Sequence, residues 1–162
     1  MQISKAMASL MSAQVGNELG ASNQYLQIAA FFDAESLSRL AKFFYAQAEE
    51  EREHAMKFVH YLMDVGAPLQ IAAIPAPKGD IGTAEKAFDM SLAWEKEVTR
   101  QIHDMVDLSL KEKDYASQAF LQWFVTEQVE EVSTMESMLE VVRRAGEKNL
   151  LMVEAYLTHS AD

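Results

Sequence analysis

The residues able to do chemistry recur at intervals of seven, on stripes that are otherwise apolar. Glu18 shares its stripe with Met11, Tyr25 and Phe32, and Glu51 with Phe44, Phe58 and Val65. Glu95 falls between Phe88 and Ile102, and Glu131 follows Phe124 and precedes Met138 and Ala145. An adjacent row reads Leu121, Gln128, Met135 and Val142. Steps of seven stay on one face of an α-helix with slow drift, so each carboxylate faces where its apolar neighbours face. His54 follows Glu51 by three residues, which makes the two neighbours on that face. Burying an ionised carboxylate is costly even after relaxation, and four that face one another also repel. Divalent cations relieve both penalties. A donor set of many oxygens with one imidazole suits iron or manganese better than copper or a structural zinc.

Such stripes need long helices to carry them. Neither Pro nor Gly occurs from Asn23 to Val65 or from Thr83 to Ala145, whereas Gly66 to Gly82 holds Pro68, Pro75, Pro77 and Gly79. Three prolines deny that stretch a continuous helix. The pattern predicts helices over about 4–32, 36–65, 84–112 and 115–145, with Thr83 and Asp114 as N-caps and Gly146 just past the fourth helix. A fifth, short helix over about 150–158 is apolar on several faces. Helices of about 30 residues run about 45 Å. A short turn at Asp33–Glu35 makes the first two antiparallel, and loop 66–82 is long enough to cross the bundle from end to end. The expectation is a single all-α domain over 1–162: a four-helix bundle with one long crossover between its second and third helices, plus a short C-terminal helix.

The bundle also repeats itself. Glu18 to Glu51 and Glu95 to Gln128 both span 33 residues, so the Glu51/His54 pair corresponds to Gln128/Glu131. Two halves related by a pseudo-two-fold, one of them altered, predict two inequivalent metal positions.

Composition narrows the function classes. No cysteine is present, which removes disulfides, thiolate metal sites and thiol catalysis together. The net charge of −11 from 14 basic and 25 acidic residues disfavours nucleic acid, which needs a basic stripe, and favours cations. No run reaches the length of a membrane span. Met1 to Ala13 carries only Lys5 and is interrupted by Ser4, Ser9 and Ser12, so it reads as the first turns of a helix and not as a signal peptide.

Several strings, in order and spacing, resemble the non-haem ferritins of bacterial type across essentially the whole chain. They are Asn17-Glu18, Tyr25, Ala48-Glu49-Glu50-Glu51-Arg52-Glu53-His54-Ala55, Glu95 before Val98-Thr99, and Phe120-Leu121-Gln122-Trp123-Phe124 running into Glu127-Gln128. The resemblance implies that Glu18 and His54 hold one iron, Glu51 bridges, and Glu95 holds the second with Gln128 beside it. It implies a third iron position at Glu50, Glu127, Glu130 and Glu131, with Glu131 shared. Tyr25 would hydrogen-bond nearby and could donate an electron, as could Trp123, although a core or interface Trp is the commoner case. The implied activity is ferroxidation: Fe(II) is oxidised by O2 or H2O2, and Fe(III) mineral is stored in a hollow cytoplasmic shell of 24 identical subunits. The fifth helix would line its four-fold axes. Bacterioferritins carry a second Glu-x-x-His and a haem-ligating Met; here those positions read Glu127-Gln128-Val129-Glu130 and Arg52, so no haem is expected. Gln118 and Leu121 replace the acidic three-fold funnel of animal ferritins. A rubrerythrin-like peroxide-reducing enzyme is the alternative on the same fold, weakened by the missing cysteines. A metal-free helical interaction module gives no reason for carboxylates and a histidine on apolar stripes.

Overall fold

The computed structural model describes residues 3–159, so Met1 and Gln2 of the expected first turn lie outside it. Four long helices, α1 (Lys5–Ala34), α2 (Ser38–Asp64), α3 (Ala84–Glu112) and α4 (Tyr115–Ala145), precede a single 3-10 turn at Glu147–Asn149 and α5 (Leu150–His159). Among the described residues no helix is long and apolar enough to cross a membrane.

Local chemistry sets most of the boundaries. Ser4, Thr83 and Asp114 each accept a backbone N–H three residues on, from Met7, Lys86 and Ser117 at 3.0, 3.1 and 3.0 Å. Gly146, at φ 75°, ends α4 in a conformation that favours glycine. The α1–α2 turn falls two residues later than the pattern predicts. Ser36 takes φ 61° and α2 begins only at Ser38, because the chain must reverse through Glu35–Leu37 before helical bonding resumes. Leu37 at the cap offers no side-chain acceptor. The acceptor comes from α5 instead: the Glu154 carboxylate takes the N–H groups of Arg39 (2.9 Å) and Leu40 (2.8 Å). Glu147 does the same for α3, accepting from Ala84 at 3.2 Å and Glu85 at 2.8 Å.

The helices α1 and α2 pack as an antiparallel pair, with Phe32 stacked on Phe44 near the turn and Ser22 donating to the Ala48 carbonyl at 2.6 Å. The helices α3 and α4 form the second pair. Residues 66–82 carry no regular structure and run along α1: Gln70 donates to Ser12 Oγ at 3.3 Å, and Gln24 clamps the backbone of Lys78 from both sides, at 3.0 and 2.8 Å. Ile81 then seals the far end of the core.

Buried apolar side chains gather into two clusters. One holds Tyr25, Phe32, Phe44, Phe88 and Met135; the other holds Met11, Val15, Phe58, Ile102 and Phe124. On every long helix the carboxylate or amide of the stripe falls between the two. The bundle therefore encloses a polar layer with an oily block above and below it.

Candidate metal centre

Glu18, Glu51, Glu95 and Glu131 are all buried, together with His54 and Gln128. The heptad stripes account for this: the same faces that bury Tyr25, Phe58, Ile102 and Phe124 bury the acids one step away. Three groups of donor atoms converge, each within 4.8 Å: Glu18, Glu51 and His54; Glu51, Glu95 and Glu131; and His54, Glu127 and Glu131. Glu51 belongs to the first two groups and so stands between two adjoining positions. His54 Nδ1 lies 3.5 Å from Glu51 Oε2, and its Nε2 lies 3.6 Å from Glu127 Oε1.

The electrostatics show what this layer lacks. Burial drives the Glu18 carboxyl well above the usual carboxylate range, and the neighbouring charge of Glu51 adds to it. Glu51 is raised well above that range by burial and by Glu95. Burial also raises Glu95, against the hydrogen bonds from Tyr25 and Gln128 that favour its ionised form. Glu131 is pushed up to about 8 by burial, then by Glu95 and Glu50. Glu18 Oε2 is buried with no hydrogen-bond partner. Acids held up by burial and mutual repulsion, one oxygen unpartnered, are the environment that a divalent cation stabilises. The donor set fits iron.

Side chains around the layer orient it. Gln128 Nε2 donates to Glu95 Oε2 at 3.1 Å and to the Glu95 carbonyl at 3.2 Å, and it lies 3.4 Å from Thr99 Oγ1. Tyr25 donates its hydroxyl to Glu95, and burial next to that carboxylate keeps the phenol protonated. Gln14 Nε2 donates to Glu18 Oε1 at 3.0 Å. The contributions of Gln14 and Thr99 were not visible as functional in the stripes. Gln14 lies one turn before Glu18 and Thr99 one turn after Glu95, so the i±4 neighbours of each acid carry the signal that finds them.

The expected third position is brought together only in part. Glu127 joins His54 and Glu131, whereas Glu50 and Glu130 are exposed and enter none of the close groups. Glu50 is nevertheless raised by burial and by the charge of Glu127, so it shares that field. Trp123 is not a core residue: it is 41% exposed, sets its edge against the His54 ring at 5.4 Å, and lies under Lys57 Nζ. Arg52 points outward to Glu49 at 3.5 Å, away from any haem-ligating geometry. Leu121 is buried in the second apolar cluster, which removes it from any channel wall between subunits.

A family model described as the ferritin-like domain matches residues 8–145. The chain belongs to the ferritin family. It is 40% identical over 148 residues to "Ferritin BfrB" of Mycolicibacterium smegmatis, covering 91% of this chain and 81% of that one. It is 38% identical over 145 residues to "Bacterial non-heme ferritin" of Staphylococcus aureus, covering 90% and 87%. Among solved structures, an open pore ferritin from Archaeoglobus fulgidus superimposes with a TM-score of 0.92 at 32% identity, covering 96% of both chains. Family and fold together support iron storage for this ferritin, and the bundle with its short fifth helix is the ferritin fold.

Proposed function

We infer that this ferritin oxidises Fe(II) with dioxygen at a two-iron centre inside each subunit and stores the ferric product in a hollow 24-subunit shell. One observation carries the reading: two three-residue donor groups meet at Glu51 within a buried layer whose acids have no other counter-charge. Glu18, His54 and Glu51 would bind one Fe(II) substrate ion, and Glu51, Glu95 and Glu131 the other. Two Fe(II) ions give two electrons to dioxygen, which leaves with two protons as hydrogen peroxide. Gln128 and Tyr25 hold Glu95 in place, and Gln14 holds Glu18, so these ligands are set before the metal arrives. The lopsided ligation, with His54 on one side only, makes the two irons inequivalent. Glu127, with Glu50 and Glu130 at its rim, offers a route or a third position toward the surface. The expected setting is the cytoplasm, where reduced iron must be held.

Fe(II) titration of the metal-free protein in air tests this. A ferric absorbance rise and retention of far more than three irons per chain are expected, on particles of 24-subunit mass. A colourless protein, or loading that stops at two irons per chain, overturns the storage ferroxidase. A peroxide-reducing enzyme predicts the latter.

A further inference from the structure

The site has two sides of opposite character. Toward α2 and α4 it meets the acidic residues Glu50, Glu127 and Glu130, an attractive approach for a cation. Toward α1 and α3 it meets a small cavity of about 70 Å3, walled by Ala21, Gln24, Tyr25, Met90, Ser91 and Trp94 and roofed by Lys78 of the crossover. Ala21, Tyr25 and Ser91 are buried and form the floor, while Lys78 is exposed at the mouth. Lys78, Met90 and Trp94 also line a surface cleft, so the cleft adjoins the cavity whose floor includes Tyr25. The Tyr25 hydroxyl in turn touches Glu95.

All but one of the buried polar groups on the wall are already engaged. Both ends of the Gln24 amide are spent on the Lys78 backbone, Ser91 Oγ donates to the Ala87 carbonyl at 2.8 Å, and Tyr25 donates to Glu95. The Trp94 indole N–H is buried without a partner. A buried water wants two to four partners, and this cavity offers it that single donor. A small apolar molecule loses nothing there. The crossover is fixed over it by the Gln24 clamp and by Ile74, which reaches to 3.5 Å of where a Cβ on Gly20 would stand.

We propose that this cavity is a dioxygen site: the gas reaches the centre from beneath the crossover, behind Tyr25, while Fe(II) arrives from the acidic side. The proposal rests on the ferroxidase reading above. Two entrances of different chemistry keep a neutral oxidant from competing with its charged co-substrate for one path.

Crystals of the metal-free protein under xenon pressure should show xenon between Ala21 and Trp94. Filling the cavity by Ala21→Leu should remove the xenon and raise the KM for dioxygen about fivefold or more at saturating Fe(II). Anaerobic Fe(II) binding should stay at wild-type stoichiometry. Met90→Trp, which narrows the mouth from a half-buried position, is the second variant should Ala21→Leu fail to fold, and the same shift is expected. Wild-type oxidation with no xenon in the cavity, or a KM for dioxygen within twofold of wild type in a folded filled variant, overturns the dioxygen site alone. A wild-type protein that leaves Fe(II) unoxidised in air overturns the ferroxidase reading first, and the use of the cavity with it.

Discussion

Two acids of the polar layer are held by neighbouring side chains, Glu18 by Gln14 and Glu95 by Gln128 and Tyr25. Glu51, His54 and Glu131 each belong to two of the three donor groups, and Glu51 and His54, which also share the first group, carry the strongest prediction. Glu51→Ala or His54→Ala should slow the fast phase of iron oxidation by more than about a hundredfold, beyond the 10–100-fold typical of losing an outer partner, and native mass should be that of the wild-type assembly. Gln128→Ala, which only loosens Glu95, should fall within that smaller range. Metal-free stability should depend on pH in a defined direction. A carboxyl raised by folding binds a proton that the unfolded chain has already released, for Glu131 between 4.5 and about 8. Stability is therefore greatest at the acid side of that window and falls as pH rises through it. Thermal melts should drop from pH 5.5 to pH 8, and Glu131→Gln should flatten the slope; a melting temperature that climbs over that range contradicts the assignment. The acids and His54 were legible from the sequence because a period of seven on an apolar face survives any packing. Glu50 and Glu130 were not separable from Glu127 there. Positions 127, 130 and 131 share one side of α4, and only the packing of the bundle leaves 131 buried, 127 half-buried and 130 exposed.

Helices explain why the layer stays buried and where the sequence could not see ahead. Thr83 and Asp114 cap within three residues, so their role is written locally. The start of α2 lies two residues past the sequence expectation because its cap is not local: Glu154 is 115 residues away from Arg39. No window along the chain connects those positions. Glu154→Ala should cost about 1 kcal/mol, the usual worth of a side-chain cap, which is about 2–4 °C in a chain of this size. Hydrogen exchange should speed up in the first turn of α2 and along α5 together. Faster exchange in α5 alone would mean that the carboxylate holds its own helix and not its neighbour's end.

Across the whole molecule, α5 faces two ways. Val153 is buried in the first apolar cluster, with Leu150 and Leu157 packed against it, whereas Leu151, Met152 and Tyr156 are exposed. A helix that docked only on its own bundle would not leave that second apolar row outward, which suits contact with other copies in the proposed shell. Leu151→Asp with Met152→Asp should yield smaller assemblies by native mass, with the helical content of the subunit retained. A full-sized shell from that variant would show that the outward row is not part of an interface. The two C-terminal carboxylates also impose an order in time. Glu147 and Glu154 are translated after all four long helices, so the start of α2 waits while 115 further residues are made, roughly 6–23 s at ordinary synthesis rates. A nascent chain that already holds α1 to α4 still lacks any side-chain cap at the start of α2, and has only Thr83 at the start of α3. The four long helices are fastened from behind, and the short α5, made after them, is the clasp.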